Sequence, residues 1–318
     1  MSFFRRVFGK NEEADESEQY VDQDATPVVP MPQVKPSFNP EARTTVFDTA
    51  TRELVSEPEN MLAGHSVMGY VSDVGIVRDN NEDATFTFFA SSSTVDNNPD
   101  FGIFIIADGM GGHQQGEKAS ALAVRTSAQL IMQKLYLPML TAADDPDRPP
   151  IAEVLIAAVK AANDAVIKSI ADGGTTLTIM VMMGDWGHFA HVGDSRAYLI
   201  TKEAAELVTR DHSYVQRLIE LNQISVEESR QHPQRNVLYR AIGQNEVIDV
   251  DTLSRRLPTG GAILLCSDGM WDVVSNHQIR EIVSTNSSPQ QICEKLVALA
   301  ITQGSTDNVS GILVRMPG

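Results

Sequence analysis

From about Gly64 onward, apolar residues recur with strand and helix periods; before it they do not. Positions 101–107 (FGIFIIA) form an unbroken apolar run of strong strand formers, too short for an ordinary helix. A shorter strand is expected over 84–89. Apolar residues fall at helical spacing over 119–135 and 151–170, separated by an Asp- and Pro-rich loop at 141–150. Strands follow at 175–183 and 188–200, with Gly184 and Asp185 as the turn between them. Val215, Leu218 and Ile219 mark a helix over 214–222, and Ser225 with Glu228 fits a capping box opening another short one. A strand at 262–266, a helix at 289–302 and a closing strand at 309–315 complete the pattern. Strands in neighbouring pairs, with helices in separate runs, predict an α+β fold in which helices pack on an antiparallel sheet sandwich.

The first part of the chain reads differently. Glu12, Glu13, Asp15, Glu16 and Glu18 are followed by scattered prolines, and no periodicity offsets the entropy of ordering. We therefore divide the chain into an acidic, Pro-rich tail (1–63) and a folded domain (64–318). Residues 1–10 mix phenylalanines with Arg5, Arg6 and Lys10, too short and interrupted for a secretory signal; a solvated terminus is the expectation. Four threonines, Thr44, Thr45, Thr49 and Thr51, read as polar filler in the tail.

Charge narrows the partners. The 318 residues carry a formal charge of −17, which argues against nucleic acid, since phosphate backbones require Lys and Arg. No apolar run approaches the ~20 residues of a membrane helix. The two cysteines, Cys266 and Cys293, lack metal spacing and form no disulfide framework, so a reducing, cytoplasmic compartment is expected.

The candidate chemistry lies in acids at strand edges. Asp108-Gly109 follows the apolar run ending at Ala107; Asp268-Gly269 follows the strand ending at Cys266; Asp194 follows Val192-Gly193; Asp307-Asn308 precedes the last strand; Glu82-Asp83 precedes 84–89. Any one Asp-Gly pair alone reads as a turn. Several, delivered by buried strands to one sheet edge, would repel one another and require a cation or shifted pKa values. Oxygen donors without a Cys or His cluster favour Mg²⁺ or Mn²⁺ over zinc. Two such ions about 3.5–4 Å apart share and acidify a water and stabilise in-line displacement at phosphorus. Arg78, four residues before Glu82, is the candidate phosphate grip, because a guanidinium holds two oxygens bidentately.

Six segments in order, RDNNEDA (78–84), ADGMGGH (107–113), GGTTLT (173–178), VGDSRAY (192–198), LCSDGMWD (265–272) and DNVS (307–310), resemble the metal-dependent protein phosphatase family, also called PPM or type 2C. GMGGH and HPQR (232–235) resemble its bacterial branch. The resemblance implies a four-layer αββα sandwich and a serine/threonine phosphatase acting by attack of a metal-bridging water, reversing the action of a Ser/Thr kinase on phosphorylated proteins, as a cytoplasmic monomer. It implies two Mn²⁺ or Mg²⁺ ions and a third, weaker one. Asp108 would bridge the first two; the Gly109 carbonyl and, through water, Glu82 would serve one; Asp268 and Asp307 the other; Asp194 with Asp268 the third. Arg78, Asp108 and Asp268 would be the catalytic residues, with Arg78 on the substrate phosphate. Residues 209–243 would form a flap beside the cleft. Animal relatives place a His, a proposed general acid, where this chain has Met110; His113, His232 or a metal-bound water are the alternatives.

Other chemistries fit less well. No Arg stands at phosphate-loop spacing after Cys266, Cys293 lies in a helix, and Ser195, in GDSRA, lacks the second glycine of a nucleophile elbow. Gly173–Thr178 lacks the Gly-Lys-Ser/Thr ending of a P-loop, and Met180, Met182 and Met183 read as core. A phosphoprotein-binding pseudophosphatase of the same fold is the alternative function, marked by lost acids; here all are present.

Overall fold

Alternation along the strands sorts the apolar residues into three layers. The computed structural model describes residues 66–91, 99–111, 115–141 and 148–318. All belong to the unit Glu57–Gly318; the unit Met1–Ser56, the expected tail, His113 and most of the 141–150 loop lie outside the described residues.

One sheet contains β1 (Val67–Asp73), β7 (Arg196–Ile200), β8 (Ala205–Leu207), β10 (Ala262–Cys266) and β11 (Val309–Arg315), in the order β1-β11-β10-β7-β8. The other runs β2-β3-β5-β6-β9, from β2 (Asp83–Ala90), β3 (Phe101–Gly111), β5 (Leu177–Met183), β6 (Trp186–Val192) and β9 (Asp251–Arg256), with β4 (Gly173–Thr175) paired to the end of β3. The pairs within both sheets are antiparallel.

On β3, Phe101, Ile103, Ile105 and Ala107 pack with helices α1 (Gln115–Ile131) and α3 (Ile151–Ser169), while Phe104 and Ile106 point to the other sheet. There they meet Met180, Met182, Phe189, Ile263, Leu265, Ile312 and Val314. Each such buried side chain contributes roughly 1.5–3 kcal/mol. The outer face of the first sheet carries a third cluster, Leu264, Cys266 and Leu313 with Ile279, Ile292 and Leu296. Those last three belong to α7 (Asn276–Val283) and α8 (Pro289–Thr302). The result is the expected αββα sandwich. Met180 and Met182 are core, as read from sequence.

Several boundaries differ from expectation. Residues 188–200 form two strands in different sheets; the chain leaves β6 at Gly193, whose φ of +110° turns it toward β7. The expected strand at 175–183 divides into β4 and β5. The helix expected from 119 starts at Gln115 and passes through a wide turn at Met132–Tyr136 into α2 (Leu137–Met139). Asp268 does not close a hairpin but opens α6 (Asp268–Trp271). The segment 213–238 carries α4 (Tyr214–Glu220) and α5 (Val226–Ser229), and its neck is closed by a Ser213–Leu238 bridge. The Ser225–Glu228 capping box is present.

Candidate active site

Antiparallel pairing brings alternate strand ends to the same edge, and here it gathers the acids. Asp83 at the start of β2 lies opposite Asp108 on β3. Arg196 at the start of β7 pairs with Cys266 at the end of β10, setting Asp194 and Asp268 just beyond one another's strands. Cys266 pairs in turn with Gly311 near the start of β11, just after Asp307 and Asn308. Asp108 shares the parity of Phe104 and Ile106, so its carboxyl enters the space between the sheets.

The backbone around these acids is tightly held. Asp108 N donates to Thr176 Oγ1 (2.8 Å), while its carbonyl accepts from Thr176 N and Thr175 Oγ1, both at 2.8 Å. Gly109 N donates to the Glu82 carbonyl (3.0 Å), and a Cβ at 109 would fall 2.3 Å from the Gly116 carbonyl oxygen. Asn308 Oδ1 accepts from Glu82 N (2.8 Å), and its Nδ2 donates to the carbonyls of Val74 (2.9 Å) and Asn80 (3.0 Å). This fixes the 74–82 loop that carries Arg78 and Glu82. Arg78 Nη2 lies 2.6 Å from Asp307 Oδ2, and Asp307 Oδ1 accepts from Asn308 N (2.8 Å).

Like charges crowd this edge. Burial, then the neighbouring Asp268, Asp83, Asp194 and Asp307, drives the Asp108 carboxyl well above its ordinary range. Burial and then Asp268 do the same to Asp194. Asp268 is raised to about 6, burial leading and Asp307 adding, while a hydrogen bond with the Asp108 carboxyl works the other way. Burial also raises Glu82, opposed by Arg78. The Arg78 guanidinium is raised further, chiefly by its bond to Asp307, and stays charged.

Asp83 was passed over in the sequence in favour of its neighbour Glu82. It is buried, and its Oδ2 accepts from Ser267 Oγ (2.8 Å) of the opposite sheet. Burial carries its carboxyl up to about 7. The signal was parity: Asp83 falls on the face of β2 that carries Phe89 inward.

Cation fit follows from the donors. Asp83 Oδ1 and Asp268 Oδ1 are buried without a hydrogen-bond partner. Unpaired carboxylate oxygens among mutually repelling acids are satisfied by a hard divalent cation. Among the described residues, no three His, Cys, Asp or Glu side chains are already closed around one point. The Asp307–Arg78 pair and the Asp108–Asp268 contact engage several of the oxygens instead.

Beside the acids opens a cleft of about 870 Å³, lined by Asp194, Asp268 and Asp307 together with Val215, Ile219 and Val226 of the 213–238 segment. The root of that segment is anchored by a pair the sequence did not flag. Arg196 Nε and Nη2 donate to the Asp211 carboxylate at 2.7–3.2 Å, and its guanidinium lies 3.5 Å from the Trp271 ring centroid. Next along, Gly193 N donates to His212 Nδ1 (3.1 Å), which puts the imidazole proton on Nε2, facing Asp251 Oδ2 at 3.1 Å. Burial lowers His212, keeping it neutral. Of the general-acid candidates, His232 packs on Tyr214, with ring centroids 6.0 Å apart, and does not line the cleft. Met110 is partly buried on β3.

Residues 78–298 match the family described as Protein phosphatase 2C. The chain belongs to that family. This phosphatase is 33% identical over 243 residues to the serine/threonine phosphatase stp of Listeria monocytogenes, covering 76% of this chain and 93% of that one. It is 34% identical over 250 residues to the serine/threonine protein phosphatase PstP of Mycobacterium tuberculosis, covering 76% of this chain and 43% of that one. The crystal structure of the M. tuberculosis PstP/Ppp phosphatase superposes with a TM-score of 0.66 at 32% identity, covering 80% of this chain and 99% of the other. The PstP catalytic domain in complex with two manganese ions gives 0.63 at 31%, covering 79% and 99%. The protein is thus a bacterial-type protein serine/threonine phosphatase. Among its described residues, no helix is long and apolar enough to cross a membrane.

Proposed function

We propose that the acid cluster holds two divalent cations, Mn²⁺ or Mg²⁺, and that the phosphatase uses them to hydrolyse phosphoserine and phosphothreonine in proteins, opposing a Ser/Thr kinase in the cytoplasm. When bound, the ions neutralise the cluster and supply the Lewis acidity that makes water nucleophilic toward phosphorus. Asp108, the Gly109 carbonyl and, through water, Glu82 would hold them together with Asp268 and Asp307, and Asp194 with Asp268 would offer a third position. The exposed, permanently charged Arg78 presents donors to two phosphate oxygens and orients the ester. The Asn308 amide holds Arg78 and Glu82 at a fixed distance from Asp307, and the flap bounds the cleft on the substrate side.

The reading is carried by the buried, unpartnered oxygens of Asp83 and Asp268 facing further raised carboxyls at one sheet edge. The buried free cysteines fit a reducing compartment. The test is phosphate release from a phosphothreonine peptide with Mn²⁺, with EDTA, and with Asp108→Ala and Asp268→Ala. Turnover is expected only with metal and is nearly lost in both variants. Turnover that survives EDTA, or wild-type rates for Asp268→Ala at saturating Mn²⁺, would rule the site out.

A further inference from the structure

The turn preceding Arg78 exposes two consecutive aliphatic side chains, Ile76 at 70% and Val77 at 60%. Single exposed apolar residues are ordinary. These two stand on a turn fastened at both ends. Val74 and Asn80 are both held by the Asn308 amide, and Gly75 N donates to Asp73 Oδ1 (2.8 Å). A Cβ on Gly75 would lie 2.6 Å from the Asp307 carbonyl oxygen, so the turn rests directly on Asp307. On its other side Arg78 reaches the Asp307 carboxylate. Asp307 lines the cleft. Ile76 and Val77 therefore stand beside Arg78, on a turn bracketed by two contacts to one acid.

Residues adjacent in a chain are about 3.8 Å apart, and an extended peptide advances roughly 3.3 Å per residue. A phosphoresidue seated on Arg78 thus brings its first or second neighbour over this turn. An apolar one would cover the exposed pair.

We infer that Ile76 and Val77 form an apolar rest for the substrate polypeptide, selecting phosphoproteins with an aliphatic or aromatic residue one or two places from the phosphoresidue. This rests on the assignment of Arg78 to the phosphate. The test compares three substrates: a small aryl phosphate, a phosphothreonine peptide with Leu at both neighbouring positions, and the same peptide with Ser there. The wild type should favour the Leu peptide about tenfold in kcat/KM, the lower end of discrimination by an apolar site. The Ile76→Ser/Val77→Ser double variant should turn over the two peptides equally while hydrolysing the aryl phosphate like the wild type. Ile76→Leu/Val77→Ile should restore the preference. Equal wild-type rates on both peptides, or a preference that survives the serine variant, would overturn the inference. A wild type inactive on all three substrates with Mn²⁺ would instead sink the catalytic assignment beneath it.

Discussion

Replacing Asp83 with asparagine keeps the shape of the side chain and removes a buried acid. Burial carries this carboxyl up to about 7, against an ordinary value of 3.8. Because the folded value is raised, the stabilising form is the protonated one. Its contribution is complete below about pH 4 and drains away as pH climbs to 7. Three pH units correspond to roughly 4 kcal/mol for an isolated group, at a limiting slope of about 1.4 kcal/mol per pH unit. Asp108 and Asp268 titrate with it, so only part of that belongs to this one residue. In the variant, the amide oxygen still accepts from Ser267, and an N–H replaces the unpartnered Oδ1 among the other acids. Urea unfolding in EDTA at pH 4.5, 6 and 7.5 should show the wild type losing stability across the series. The variant should fall less steeply and be the more stable of the two at pH 7.5, by less than about 4 kcal/mol. Mn²⁺ should raise the wild-type Tm more than the variant's, since a carboxylate facing the cations is gone. Parallel curves for the two proteins would refute the argument that Asp83 is held as a buried, strained acid.

Further outcomes follow from other contacts. Arg78→Ala should raise KM for a phosphopeptide at least tenfold with a smaller change in kcat, and Arg78→Lys should recover only part of the loss, measured by steady-state kinetics. Arg196→Ala leaves the buried Asp211 carboxylate alone; chemical denaturation should report a loss of about 3 kcal/mol. Phe104→Ala empties a fully buried position between the sheets and should lower stability by about 3–5 kcal/mol with the metal response of Tm intact. Mn²⁺ should shift Tm more at pH 7.5 than at pH 5, because protons compete for the same carboxylates.

The legible parts of this protein are those where a local signal and the tertiary answer agree. The run at 101–107 is apolar on both faces because β3 lies between the helices and the opposite sheet. Asp108, Asp268 and Asp307 stand out because they interrupt or border such runs. Less could be read where exposure blurred the pattern. β9 (DTLSRR) is a mostly exposed edge strand with little apolar content, and β1 is an edge strand with exposed Tyr70. The break between β6 and β7 was hidden because Gly193–Ser195 is short and both flanks have strand character. Asp83 was overlooked because an acidic pair at a strand start does not by itself say which member turns inward. The Arg196–Asp211 pair joins residues 15 apart in sequence across a strand and a hairpin, and no periodicity announces it.

The chain passes between the sheets at the acid-bearing end through residues 74–82, 193–195 and 208–250, and at the opposite end through 257–261. Two slabs joined three times along one hem and once along the other part first at the margin with the single stitch. Thermal breathing should therefore widen the sandwich far from Asp108 while the span between its acids and those of the facing sheet stays nearly constant. Amide protons at that hem should then be among the slowest in the molecule to exchange.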